Sequence, residues 1–140
     1  MSKVAIVFWS ATGNTETMAN CIAEGAGANG TLVPCAEMTP AKLAEFDVVA
    51  FGCPAMGAEQ LEESEFEPMF AALEGSLNGK KIALFGSYGW GDGEWMRDWT
   101  TRMEAAGATV LNGEGLICHE TPDEDGLSEC RELGIQLANA

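Results

Sequence analysis

The stretch "VAIVFWSATGNTETMANCIAEG", residues 4–25, passes from an apolar, β-rich segment through a hydroxyl-rich turn into a helical pattern. A strand that ends in a glycine-containing turn and continues as a helix is the first half of a β-α-β unit. The same alternation runs down the chain. β-rich segments at 4–9, 31–35, 48–52, 82–86 and 109–111, the last resuming at 116–118 after an "NGEG" interruption at 112–115 that reads as a bulge, predict five strands. Residues 14–26, 40–45, 64–77, 93–106 and 123–139 read as helices. The segments "VVAFG" and "IALFG" are continuously apolar, as strands covered on both faces must be. With right-handed crossovers the result is an α/β fold, a parallel sheet between two helical layers.

A chain of 140 residues suits one domain, 1–140, with one core. Hydrophobic residues make up 46% and charged residues 21%, a folded rather than a disordered composition. Seven basic residues against 22 acidic ones leave a net charge of −15. That charge disfavours nucleic acid and anionic membranes as partners and favours basic protein surfaces. The N-terminus lacks a signal-peptide pattern and no apolar run has the length of a membrane span, so a cytoplasmic location is expected. Cys21, Cys35, Cys53, Cys118 and Cys130 are scattered and odd in number, which reads as reduced, mostly buried thiols. His119 stands alone without a metal-ligand pattern and reads as a surface or hydrogen-bonding residue. Lys80 and Lys81 read as solubilising an edge.

In an open parallel sheet, ligands bind beyond the carboxyl ends of the strands, which singles out residues 10–15, 54–59 and 87–92. In the first of these loops the amides of a helix start, the hydroxyls of Ser10, Thr12 and Thr15 and the small Gly13 can converge on an anion without any cationic side chain. The spacing is neither that of a nucleotide-hydrolysing phosphate loop nor that of a dinucleotide fingerprint. The same turn also reads as an ordinary capped helix start, with Thr12 or Asn14 as the cap. The second loop, "PAMGAE", presents a methionine, a glycine and an acid, and also reads as a plain strand-to-helix connection with Met56 as core filler. In the third, "GSYGWGDGEW", glycines flank Trp90, an arrangement that exposes a ring for stacking. Trp95 and Trp99, spaced i, i+4, read as core. The glutamates at 59, 62, 63, 65 and 67 read as a solvated helix start that can also serve docking.

"WSATGNT", "GCPAMGAEQLEESEFEP" and "LFGSYGWGDGEWMRDW" resemble the short-chain flavodoxins of anaerobic bacteria, and the likeness spans essentially the whole chain. It departs at Ala11, where close relatives carry glycine; this matters only if the backbone there needs positive φ. The resemblance implies a flavodoxin-like three-layer fold, a five-stranded parallel sheet of order 2-1-3-4-5 with helices on both faces. It implies non-covalent FMN, held at its phosphate by Ser10, Ala11, Thr12, Gly13, Asn14 and Thr15. Pro54, Ala55, Met56, Gly57, Ala58 and Glu59 would form one side of the ring site, and Ser87, Tyr88, Gly89, Trp90 and Gly91 the other. Met56 and Trp90 would cover opposite ring faces, the peptide after Gly57 would turn its carbonyl toward the reduced ring, and Glu59 would bond the pyrimidine edge.

The implied role is that of a monomeric, low-potential one-electron carrier. It would shuttle between semiquinone and hydroquinone, linking reductases and ferredoxin-type oxidoreductases with basic docking patches in place of a ferredoxin. It would not be an enzyme, since no nucleophilic or metal-binding constellation suggests itself. A two-electron quinone reductase would call for a nicotinamide-docking surface, which is not evident. A response-regulator receiver needs acids after the first and third strands and a lysine after the fifth; Trp9 and Ser10, Cys53 and Pro54, and His119 and Glu120 occupy those places. An FMN protein that activates one metalloenzyme stays open.

Overall fold

The computed structural model describes residues 2–11, 13–56, 60–89 and 91–140. Strand β1 (Val4–Phe8) lies between β2 (Gly30–Pro34) and β3 (Val48–Gly52), and β3 pairs with β4 (Lys81–Tyr88). Every pairing among these strands is parallel. Beyond β4 the edge comes in two pieces, β5 (Thr109–Val110) and β6 (Leu116–His119), both parallel to β4. The order is the expected 2-1-3-4-5, with a sixth short strand continuing the fifth.

Side-chain alternation along the strands sorts the core into two layers. Val4 and Ile6, Val48 and Ala50, and Ala83 and Phe85 pack with α1 (Asn14–Ala26) and α5 (Glu124–Ala138) through Met18, Ile22, Cys130 and Leu133. Ala5 and Val7, Val49 and Phe51, and Ile82 and Leu84 pack with α3 (Phe66–Leu73) and α4 (Glu94–Ala105) through Phe66, Phe70, Trp95 and Trp99. Short α2 (Pro40–Leu43) adds Leu43 to this second layer. Trp99 stands edge-on to Phe66 and Phe70, with centroids 5.4 and 5.8 Å away, so both helical tryptophans are core as their spacing predicts. On the other face α1 and α5 nearly touch: a Cβ on Gly134 would lie 2.0 Å from the Ile22 carbonyl oxygen.

Two local expectations need correcting. Lys80 is not a free edge charge; its ammonium donates to the carbonyls of Leu43 (3.3 Å) and Phe46, closing the end of α2. The "NGEG" interruption, residues 112–115, is larger than the bulge expected there. Ile82 is paired with Val110 and Phe85 with Leu116, so three steps along β4 match six along the edge. Asn112 bridges the gap with its side chain: Nδ2 donates to the Leu84 carbonyl at 2.8 Å while Oδ1 accepts from the Leu84 amide at 3.1 Å. A carboxamide presents the same donor and acceptor as a peptide, so the ladder continues without a strand. Replacing Asn112 with alanine leaves both Leu84 groups unpaired and should lower unfolding free energy by about 1–3 kcal/mol in denaturant titrations.

Candidate functional site

The carboxyl ends of β1, β3, β4 and β6 open onto one surface cleft of about 340 Å³, within the size range of small-molecule sites. The first loop forms one end of it through Ala11 and Asn14. Gly13 caps α1 with φ +96°, a left-handed conformation that a residue with a Cβ enters only at a cost. Ser10 Oγ accepts the amides of Gly13 (3.1 Å) and Glu16 (3.3 Å), folding the turn back on the helix start. Among the described residues Glu120 is the one non-glycine with positive φ, so Ala11 sits in ordinary backbone and its methyl costs nothing there. Thr12 lies outside the described residues. Thr15 is buried, and its hydroxyl is paired with Ser87 Oγ at 2.8 Å, beneath the cleft rather than in it.

Pro54, Ala55 and Met56 form one wall, and Ser87, Tyr88 and Gly89 contribute to the opposite side. The walls are tied together: the Ala55 amide donates to the Ser87 carbonyl at 3.0 Å. Met56 pairs with Gln60 across a tight antiparallel bridge, its amide 3.0 Å from the Gln60 carbonyl oxygen. Gly57, Ala58 and Glu59 between them, and Trp90 on the other wall, lie outside the described residues. Gly91 is exposed beyond the lining. Behind the wall Trp95 Nε1 donates to the Cys53 carbonyl at 3.1 Å, which explains why a tryptophan is tolerated in this core.

Two lining residues escape the sequence reading, Trp9 and Glu120. Trp9 directly follows β1 and donates through Nε1 toward Glu65 at 3.4 Å; its place one residue before the first loop is the signal that could have found it. Glu120 carries no such signal. It turns left-handed (φ +55°) while its amide donates to the Tyr88 carbonyl at 2.7 Å, a pairing visible only in the folded sheet. His119 is exposed, with its ring 5.1 Å from that of Tyr88 and Nε2 3.4 Å from the Gly89 carbonyl oxygen.

The acidic run divides into different roles. Glu63 and Glu65 are exposed, but Glu62 is buried at the start of α3. Its carboxylate accepts the amides of Ser64 (2.9 Å), Glu65 (2.7 Å) and Phe66 (2.9 Å) and the Ser64 hydroxyl, so α3 begins at Phe66 instead of Ser64. Glu67 and Glu74 are gripped by Arg102 at 2.6–2.9 Å, the guanidinium lying 4.7 Å from the Phe70 centroid. Burial alone would raise the Glu62 pKa, but the Ser64 hydroxyl and the three amides outweigh it and hold it at about 2. This contribution is fully present above the unfolded-state value and is lost as pH falls toward 2. Glu62→Gln should cost on the order of 2 kcal/mol at neutral pH, with the gap from wild type closing in denaturant titrations as pH is lowered from about 4.5 to 2.

The donor set suits a phosphorylated flat ring: a helix start and hydroxyl turn at one end, apolar walls beyond, and no cationic side chain among the described lining residues. Fold and cleft together define a doubly wound α/β protein with a ligand-sized cleft at its topological switch point. The flavodoxin family model matches residues 6–134. The flavodoxin of Megasphaera elsdenii is 49% identical over 140 residues, covering 98% of this chain and 99% of that protein. The flavodoxin of Clostridium beijerinckii is 46% identical, covering 96% and 98%. The solution structure of two-electron reduced Megasphaera elsdenii flavodoxin superimposes with a TM-score of 0.86 at 48% identity, over 98% of this chain and 99% of that one. The chain belongs to the flavodoxin family, whose cofactor is FMN and whose members carry electrons to redox partners.

Proposed function

We propose that this cleft holds non-covalent FMN and that the chain is a low-potential one-electron carrier, cycling between semiquinone and hydroquinone and linking redox enzymes in place of a ferredoxin. The observation that carries this is the cleft itself, a helix start at one end with no cationic side chain among the described lining residues and opposed walls at the other. When bound, FMN supplies the electron chemistry; the chain's residues bind, orient and shield it. Ser10, Ala11, Thr12, Gly13 and Asn14 would hold the phosphate by hydroxyl and amide donation. Thr15 would add its amide and its hydroxyl, which can donate to the phosphate while accepting from Ser87 Oγ. Pro54, Ala55 and Met56, with Gly57, Ala58 and Glu59, would form one side of the ring site; Ser87, Tyr88, Gly89, Trp90 and Gly91 would form the other, with Glu59 on the polar ring edge.

A phosphate held without a cation keeps its charge, and the chain adds −15. A unit charge about 10 Å from an added electron, at an effective dielectric near 20, opposes it by roughly 1.7 kcal/mol, or about 70 mV. Several such charges favour a low second potential. The same acidity suits docking to basic patches, weakening as salt rises. We take the chain as a single-domain, monomeric, cytoplasmic carrier rather than an enzyme. No helix among the described residues is long and apolar enough to cross a membrane.

An anaerobic reductive titration tests the reading: the yellow FMN protein should pass through a blue neutral semiquinone and then resist further reduction until low potential. Direct bleaching would point to two-electron chemistry, and failure to take up FMN would remove the site. Trp90→Ala should weaken FMN binding at least tenfold in fluorescence titrations with little loss of stability. Trp99→Ala, which empties a buried aromatic site, should instead cost about 3–5 kcal/mol of unfolding free energy. Replacing Gly57 with valine should lower semiquinone accumulation; an unchanged yield rules out a gating role for that glycine.

A further inference from the structure

The chain leaves β3 at Gly52 and re-enters regular structure with α3 at Phe66, and residues 57–59, expected at the ring, lie on the loop between. The two limbs of that loop are held differently. The outgoing limb is tied to β4 and α4: the amides of Cys53 and Ala55 donate to the carbonyls of Phe85 (3.2 Å) and Ser87 (3.0 Å), and the Cys53 carbonyl accepts from Trp95 Nε1 at 3.1 Å. The returning limb, residues 60–65, makes no backbone bond to the sheet among the described residues. It is gathered at Glu62 instead. The Glu62 amide donates to Cys53 Sγ at 3.4 Å, joining the base of the loop across nine positions, and its carbonyl accepts the Glu67 amide at 2.8 Å. Its carboxylate collects the amides of Ser64, Glu65 and Phe66 and the Ser64 hydroxyl. Glu62 is 5% exposed and Phe66 is fully buried, so amides that a helix start leaves unpaired converge on a buried acid next to the core. Two residues before Glu62, the Gln60 carbonyl accepts the Met56 amide and closes the neck of the loop.

We propose that Glu62 is a positioning residue for the cofactor loop: its carboxylate fixes the returning limb, and through Gln60 the neck at Met56, so that the loop meets the flavin already ordered. The inference rests on the FMN reading above and deepens it. Met56 lines the cleft and Glu62 does not, so the acid acts through the loop rather than by contact. Without the carboxylate the limb keeps its sulfur contact, its backbone bonds and the Trp9 contact to Glu65, but loses four hydrogen bonds, and three amides turn to water. A loop that must become ordered as it grips the ring gives up part of each contact to that ordering, whereas a loop held at both limbs does not.

Position and charge predict opposite readouts. A loosened loop grips the one-electron-reduced ring less well, which lowers the first potential and the yield of the blue form. Loss of a negative charge alone eases formation of the anionic, fully reduced ring and raises the second potential only.

The test compares FMN-loaded wild type with Glu62→Gln, Ser64→Ala and Leu73→Ala by amide hydrogen exchange and anaerobic redox titration. Leu73, buried on α3 beyond the loop, controls for lost stability. In Glu62→Gln the Met56 and Glu62 amides should exchange at least about fivefold faster, and the semiquinone formation constant should fall by at least about fivefold, the lower end of coupling between sites. Ser64→Ala, which removes one partner of the carboxylate and leaves its charge, should move both readouts in the same direction by less; it also keeps the test open if Glu62→Gln fails to fold. Unchanged Met56 exchange would overturn the proposal, as would potentials no different from those of Leu73→Ala, or a raised second potential with the first unmoved. Exchange is read with or without flavin, so failure of the FMN reading, seen as protein that takes up no FMN, is distinct from failure of the Glu62 anchor.

Discussion

Strands β3 and β4 are closed to water on both faces, Val48–Gly52 completely and β4 from Ile82 to Ser87. Their backbone polar groups find partners in the ladder, and their side chains feed two separate apolar layers. A strand buried in this way can turn only where it leaves the sheet, and in a parallel sheet the departures toward the following helices occur at the same end. The cleft at that end is a consequence of the burial. Ser87, the last fully buried residue of β4, ties its parts together. Its hydroxyl meets Thr15 from the first loop, and its carbonyl accepts Ala55 from the second. One residue thus relates three loops that are far apart in sequence.

The acidity of the chain is less uniform in effect than its net charge implies. Glu62 is buried and closes a helix start, while the half-buried Glu67 and Glu74 hold Arg102. Exposed Glu63 and Glu65, nearby in the same run, face solvent instead. Position on a helix start or beside a cation, rather than residue type, decides which carboxylates build the fold and which are left to set the surface potential. The same division applies to the cations: Lys80 and Arg102 are consumed internally, which sharpens the negative character of what remains exposed.

Much of the architecture was legible because burial on two faces leaves a pattern. Continuous apolar runs located β3 and β4, alternation of strand and helix set the parallel sheet, and the glycines and hydroxyls of residues 10–15 marked the helix start at the cleft. The split edge was legible as an interruption but not as a solution. Whether "NGEG" makes a bulge or a longer excursion depends on which backbone stands opposite, and Asn112 reaches Leu84 only once β4 is in place. Thr15 carries a contact of the same kind: its hydroxyl meets that of Ser87, a residue 72 positions away.

The sequence by itself determined the order of elements, the two-sided sheet and the loops where a cofactor site could form, because these follow from local periodicity, turn chemistry and apolar runs. Family membership was also legible there, since three stretches carry their spacing intact. The tertiary structure alone decided which of those residues line the cleft and which brace it. It brought Trp9 and Glu120 to the lining and turned Glu62 into a fastener. Each of these outcomes depends on contacts between segments remote in sequence, and the direction of a side chain's hydrogen bond is set by the partner that folding supplies.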